Sequence, residues 1–574
     1  MTSQNYHYMT QQPGHQAPSP ISPRLSGQFP SRSLGVVTLL IMLGGVLRLF
    51  IYASNRSLWS DEFFLTLNIT TRSFRELFAP LAYDQGAPIG FLLLQKLATC
   101  IFGPHPYALR LVPLLCGIAS LFLFAIIARH YLRPGAAPVA VGLVAVAYPL
   151  VYYASEIKQY SSDVVLTLLL HLFAIDTMKR STPVSVSLSW HWAGLFALIG
   201  AVVLWFSHPV VFTLAGIGIT LGIDAGLKKD WRSLGLLVGA AGVCLLSFSA
   251  CYLLSLRHLD SNAKLLDFWQ DGFLPNPVHP FATMRWIVRT GLHTIVYPVG
   301  MPIVSVGMLA ALIGGLSLSL RGKPFFFLAA PIALTLLASA LHAYPFAERL
   351  ILFLVPSVIL CMAEGLERIW EQTRKSLSVL RSFLLVLLFG FMSLPVGHAL
   401  TGAALFSDAM KAASLPLTNL LSMVIILCGV LPGRHSVWQV LLRMATIVGL
   451  MGVVLTSVVE GTYFSEAMVS EYIMPDWRDV ATVLEHYRQP GEAIVVLGWD
   501  ALPISFYLKN PVPILTSYDF ETQLQTGQTR SGYVVVLSEF SSPPPGLEYR
   551  SVTLGTSSRK VRIVRYIPDG SPLW

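Results

Sequence analysis

The chain has 574 residues, 54% of them hydrophobic and 12% charged, with a net charge of +9. Ordinary soluble domains carry about 25% charged residues. That deficit, with a mean hydropathy of +0.63, excludes a soluble globule and reads as a polytopic membrane protein. The positive excess does not indicate nucleic acid as a partner. From Asp476 onward there are 9 basic and 10 acidic residues, which leaves 30 and 20 in the first 475. The surplus therefore belongs to the membrane part. The six cysteines all lie in apolar runs and none forms a C-x-x-C pair, so neither a disulfide framework nor a zinc site is expected. The fourteen histidines show no H-E-x-x-H spacing.

Residues 1–33 are rich in Gln, Pro, Ser and His, lack apolar periodicity, and are expected to be disordered and cytoplasmic. The first apolar run starts too late and runs too long for a cleavable signal peptide. Runs long enough to span follow near 34–52, 108–128, 136–153, 162–178, 190–207, 209–227, 234–256, 296–319, 324–341, 350–366, 382–401, 415–431 and 440–459. Each is near the ~20 residues that a bilayer requires, so about 13 transmembrane helices are expected across a 34–460 membrane domain.

Charge sets their orientation. With the N-terminus cytoplasmic, the inner loops hold Arg129 and Arg133; Lys179 and Arg180; Lys228, Lys229 and Arg232; Arg321 and Lys323; Arg368, Arg374, Lys375 and Arg381; and Arg434 and Arg443. Every inner loop then carries at least two basic residues. The remaining loops face outward, including a first outer loop at 53–107. Within it, Ala87–Gly103 is about 17 residues long and contains Gln95 and Lys96. Counting it as a span would invert every later loop and break the basic-loop pattern, so it reads as an interfacial helix on the outer surface. After Tyr472 helix and strand patterns alternate. A helix is expected from Asp476 to Arg488, with strands at 493–498, 533–537 and 560–566. Residues 461–574 thus read as a small extracytoplasmic α/β domain without a visible catalytic motif.

The chemically suggestive residues all fall in outer loops. Asp61 and Glu62 follow the first span in Ser57-Leu58-Trp59-Ser60-Asp61-Glu62-Phe63-Phe64. Adjacent carboxylates at the mouth of a span are costly unless water or a cation faces them. Downstream come Gln85-Gly86-Ala87-Pro88-Ile89-Gly90 and then Tyr107-Ala108-Leu109-Arg110-Leu111-Val112-Pro113, where Arg110 is expected to brace the first loop. A second motif is Glu156-x-Lys158-x-Tyr160-x-x-Asp163. Its Glu and Lys, two apart, would not share a helical face, which favours an extended or broken segment presenting both. A third is Glu348-Arg349 before a late span, where a planar guanidinium suits a phosphate. Arg285 and Arg289 are basic residues of the long outer loop with no spacing argument behind them.

This order of motifs resembles the membrane glycosyltransferases that use polyprenyl-phosphate sugars. They include the protein O-mannosyltransferases and the bacterial aminoarabinose transferases of lipid A. The resemblance implies a GT-C-type α-helical membrane protein of the cell (plasma or inner) membrane. Its partners would be a polyprenyl-phosphate sugar donor and a glycan, lipid or protein acceptor. Asp61 would be the general base, with Glu62 orienting the acceptor or helping to hold a cation. Gln85, Glu156, Lys158, Tyr160 and Arg349 would bind substrate. No cofactor is certain from the sequence; a divalent cation is possible beside Asp61 and Glu62, with no third ligand assigned. Where the protein mannosyltransferases have a His-Pro-Pro-Leu-type motif, this chain has Gln85 and no histidine, which argues against a protein mannosyltransferase proper. Two other readings fit boundary charges on many spans: a transporter or flippase of a lipid-linked or anionic substrate, and a non-catalytic membrane scaffold. The transporter would be expected to show inverted repeats, and none is found in the sequence.

Overall fold

A computed structural model describes residues 31–180, 188–260, 262–276, 278–301 and 304–375. In the C-terminal region it describes 477–487, 493–497, 499–508, 514–516, 532–537, 551–554 and 561–566. The spans expected at 382–401, 415–431 and 440–459 lie outside the described residues. The rest is predominantly helical. In chain order the helices are α1 (Ser31–Ala53), α2 (Ser60–Thr71), α3 (Ile89–Phe102), α4 (Pro106–Tyr131), α5 (Ala136–Val146), α6 (Tyr148–Tyr152) and α7 (Tyr160–Arg180). They continue with α8 (Trp190–Val203), α9 (Val210–Leu227), α10 (Trp231–Cys251), α11 (Arg257–Asp260), α12 (Ala263–Phe268) and α13 (Pro280–Val296). The last are α14 (Val304–Ser319), α15 (Lys323–Ala340), α16 (Val355–Lys375) and α17 (Trp477–Tyr487).

Among the described residues, seven helices are long and apolar enough to cross a membrane, or eight if the bent pair α5–α6 is one span. They are α1, α4, α7, α9, α10 with its extension, α15, and α16 with the turn before it. The runs expected at 190–207 and 296–319 form the shorter apolar helices α8 and α14. The run at 136–153 is not one straight span. It bends by 56° between α5 and the segment beginning at Tyr148. Pro149 at the start of α6 cannot donate to the preceding turn. Arg48 of α1, fully buried, covers the carbonyls near the bend, donating to Val144 and Ala145 at 3.3 Å each.

Close helix contacts rest on small residues, as in bilayers, where apolar burial does not separate helix from lipid. Gly314 of α14 and Gly365 of α16 show this. A Cβ on Gly314 would lie 1.8 Å from the Cys361 carbonyl oxygen, and one on Gly365 would lie 1.9 Å from that of Ala310.

Among the described residues, two buried ionic clusters stand out. The loops between α4 and α5 and between α14 and α15 send Arg133 and Arg321 to the buried carboxylate of Glu364, where Arg368 joins them. These loops are the ones expected on the inner side. The loops expected outside converge instead on Asp61, as described below. The helix expected across Ala87–Gly103 is α3, which ends at Gly103 with φ +94°, a left-handed conformation suited to glycine.

In the C-terminal region α17 precedes a five-stranded mixed sheet of order β2-β1-β3-β5-β4. Its strands are β1 (Ala493–Leu497), β2 (Ile514–Thr516), β3 (Gly532–Leu537), β4 (Ser551–Leu554) and β5 (Val561–Tyr566). β1 pairs in parallel with β2 and β3, with Val495 opposite Leu515 and Val534, while β5 runs antiparallel to β3 and β4. The short β2 and β4 were not evident from periodicity.

The two polar clusters predict opposite sidedness for the turns beside them. Epitope tags inserted in the turn at 103–105 and in the turn at 321–322 should be reachable from opposite faces of intact cells or spheroplasts. Equal accessibility of both tags would contradict this arrangement.

Candidate active site

The site begins with the sequence Asn55-Arg56-Ser57-Leu58-Trp59, which leaves α1 and turns into α2. Asp61 and Glu62 occupy the first turn of α2, where a helix dipole favours negative charge. Being adjacent, they point to different partners.

Glu62 is fully buried and points into protein. Arg110 of α4 meets it with two parallel contacts, Nε at 3.0 Å and Nη2 at 2.6 Å. The Ile157 backbone N–H donates to it at 3.0 Å, and Arg56 lies 3.7 Å away. Burial pushes this carboxyl up, but Arg110, Arg56 and the amide outweigh it and hold it below the ordinary carboxylate range. Arg110 braces the first loop, as its place in the sequence suggested.

Asp61 keeps 20% of its side-chain exposure and faces two cations. Lys158 Nζ donates to Oδ1 at 2.8 Å, and Arg349 Nη2 lies 3.4 Å from Oδ2. Lys158 also donates to Gln85 Oε1 at 2.8 Å. Burial acts to raise the Asp61 carboxyl, and Lys158 and Arg349 overcome it, so the group stays below its usual range. Arg349 sits between two indoles, 5.6 Å from the Trp59 ring centre and 5.3 Å from that of Trp269. Such faces hold a guanidinium in place while leaving its edge free for an anion.

The Glu156–Lys158 segment is broken backbone, as the two-residue spacing implied. A 3₁₀ turn ends at Ser155, Glu156 is extended, and α7 begins at Tyr160. Lys158 and Tyr160 both come to the Asp61 side, Tyr160 packing edge-on against Tyr153 with ring centres 5.0 Å apart. Glu156 does not reach open space. It is fully buried, neither of its oxygens accepts a hydrogen bond among the described residues, and Arg56 approaches only to 4.0 Å. Burial and the nearby acids raise it to about 7 against the pull of Arg56.

Sequence reasoning brought Asp61, Gln85, Lys158, Tyr160 and Arg349 to one place. It missed Arg56, Trp59, Trp269 and Tyr507. Arg56 stands one residue before the quoted motif and was legible there. Trp59 lies inside it. Trp269 and Tyr507 carry no local signal. The Tyr507 hydroxyl accepts from the Leu58 N–H at 2.9 Å, and Ser57 accepts from the Trp477 N–H at 3.1 Å. Leu58 is buried in a cluster that also contains Ile157, with Leu502, Phe506 and Tyr507 packed against it. The C-terminal region is thus fastened to the irregular segment leading into the acid pair. Arg285 and Arg289 are exposed on α13.

Among the described residues no group of three His, Cys, Asp or Glu side chains converges as a cation site. Asp61 and Glu62 diverge toward cationic side chains, and this geometry does not fit a divalent ion held between them.

No protein-family profile matches the sequence, and no curated protein matches it. Solved structures do show likeness of chain trace. ArnT from Cupriavidus metallidurans in the apo state is 15% identical, with 95% of this chain and 100% of that one covered and a TM-score of 0.49. The same protein bound to undecaprenyl phosphate is 16% identical, with 94% and 100% covered and a TM-score of 0.49. The apo oligosaccharyltransferase of Archaeoglobus fulgidus is 12% identical, with 88% and 69% covered and a TM-score of 0.47. The roles of the side chains rest on the geometry above.

Two substitutions separate the buried acids. Glu62→Gln should destabilise the folded protein by about 3–5 kcal/mol, the usual cost of leaving a buried partner uncompensated. Because its folded pKa is depressed, this contribution is present at neutral pH and lost as pH falls through that value. Glu156 runs the other way. Its raised pKa makes ionisation costly to the fold as pH climbs from the ordinary 4.5 through about 7. Glu156→Gln should therefore change the unfolding midpoint little at pH 5 and raise it at pH 8. A gain that shrinks with rising pH would contradict this assignment.

Proposed function

We propose that the protein is an integral membrane glycosyltransferase that moves a sugar from a polyprenyl-phosphate donor to an acceptor hydroxyl at the outer membrane face. The observation that carries this reading is Asp61, a part-exposed carboxylate held between Lys158 and Arg349. The order of motifs around it supports the same reading. A hydrolytic glycosidase would need two carboxylates facing the sugar in acid and base roles. Here one acid faces outward and its neighbour is consumed by Arg110. Transfer from a lipid phosphodiester needs one base and cations, because the phosphate leaves without protonation.

In this mechanism Asp61 takes the proton from the acceptor hydroxyl. The oxygen attacks the anomeric carbon, the carbon–oxygen bond to phosphate breaks, and polyprenyl phosphate leaves with the bonding electrons. Negative charge grows on the phosphate as it leaves, and Lys158 and Arg349 are the groups that stabilise it. Arg349 contributes a planar fork and Lys158 a point charge. A phosphate that engages these cations weakens their hold on Asp61. Its carboxyl then becomes more basic when donor is bound, which is when a base is required. Gln85 orients Lys158, and Tyr160 lines the same wall.

The reading is tested by incubating purified protein with polyprenyl-phosphate hexoses and cell-envelope extract and scoring new glycosidic bonds. Asp61→Asn should lower turnover by about 10²–10⁴ while donor binding survives. Lys158→Ala and Arg349→Ala should weaken donor binding, each losing a charge-assisted contact of about 1.5–3 kcal/mol. Arg349→Lys should restore it only in part. Movement of lipid-linked substrate across the bilayer with no new bond formed would favour a transporter instead.

A further inference from the structure

Beside the Asp61 centre, the loop between α2 and α3 and the far end of α10 enclose a recess of about 170 Å³. Leucines give it apolar walls, while Asp84, Gln85, Ser255, His258 and Asn262 stand among them as polar groups. Both walls carry unusual backbone. On one side Tyr83 and Asp84 are consecutive non-glycine residues with φ of +64° and +53°. On the other, α10 gives way to a π-helical turn at Tyr252–Leu256, which holds Leu254 and Ser255. Strained dihedrals and π turns are both enriched at functional sites. The walls are also fitted to one another. A Cβ on Gly86 would come within 2.7 Å of Leu259, and Asn262 donates to Asp84 at 2.7 Å.

The chemistry of the lining selects among ligands. A phosphate group would meet the Asp84 carboxylate, and no lysine or arginine lines the recess to offset it, since Lys264, 3.8 Å from Asp84, is 85% exposed and outside the lining. An acyl chain would strip water from the Asp84 carboxylate, whose side chain is 47% exposed, and return only methylene contacts. A sugar ring satisfies both features, with C–H faces against leucine and hydroxyl edges toward Asp84, Gln85 and Ser255. Gln85 ties the recess to the reaction centre, because the Lys158 that it holds also holds Asp61.

We propose that this recess is a pyranose subsite, which presents one sugar ring to the Asp61 centre. The proposal deepens the glycosyltransferase reading and rests on it for the source of the ring, the donor sugar or a glycan acceptor.

The test uses full-length protein in nanodiscs, with Ser255→Trp to fill the recess and Asp84→Asn to remove its charge while keeping its shape. Neither residue touches Asp61, Lys158 or Arg349. Undecaprenyl phosphate without sugar should bind both variants within about twofold of the parent. The KM of the ring-bearing substrate should rise at least about fivefold. A rise confined to undecaprenyl-phosphoryl hexose assigns the recess to the donor sugar, and one confined to the acceptor assigns it to the acceptor ring. Unchanged KM for both, or sugar-free lipid weakened equally, overturns the proposal. If the parent transfers no sugar from any such donor, the glycosyltransferase reading fails, and the subsite is judged separately. Saturation-transfer NMR with methyl hexopyranosides should then show binding to the parent that Ser255→Trp abolishes. Equal or no transfer in both would overturn the subsite as well.

Discussion

A carboxylate taken wholly out of water must be met by cations and amides, and Glu62 is met from three separate parts of the chain. Arg110 comes from α4, the Ile157 amide from the broken segment before α7, and Arg56 from the segment after α1. One buried acid therefore fixes α2 against the two elements that form the rest of the site. Asp61, the next residue back, is aimed by that anchorage toward Lys158, the residue after the bound amide. Removing charge from Glu62 would loosen the mount of Asp61 without touching Asp61 itself.

The adjacency of Asp61 and Glu62 thus separates two roles by environment. Glu62 faces a paired guanidinium with no solvent path and serves the fold. Asp61 keeps part of its surface and faces cations that an anionic substrate can claim. The C-terminal region contributes to the same mount through Tyr507 and Trp477, which bind the backbone and side chain just before the acid pair. Its contact there makes it more than a distant appendage.

Much of this was legible in the sequence because charge in an apolar chain is costly and so is placed with purpose. The acid pair, the Glu156–Lys158 break, the bracing Arg110 and Arg349 before a late helix could all be read from local spacing. The division of labour within the acid pair could not, since it depends on which neighbour finds Arg110. Glu156 was read as a substrate group and proves to be buried behind Arg56. The bend after α5 was masked by continuous apolar composition, although Pro149 marks it. Tyr507 and Trp269 reach the site only through tertiary folding, at separations for which periodicity holds no information.

The central claim is that the same two cations hold Asp61 in the free protein and the phosphate in the complex. The pH dependence of transfer tests it most directly, since kcat/KM for the donor reports the free enzyme and kcat at saturating donor reports the complex. The acidic limb of kcat should lie at higher pH than that of kcat/KM, and Asp61→Asn should remove both limbs along with most of the rate. Coincident limbs, or a variant that keeps the parent's limb and rate, would contradict it.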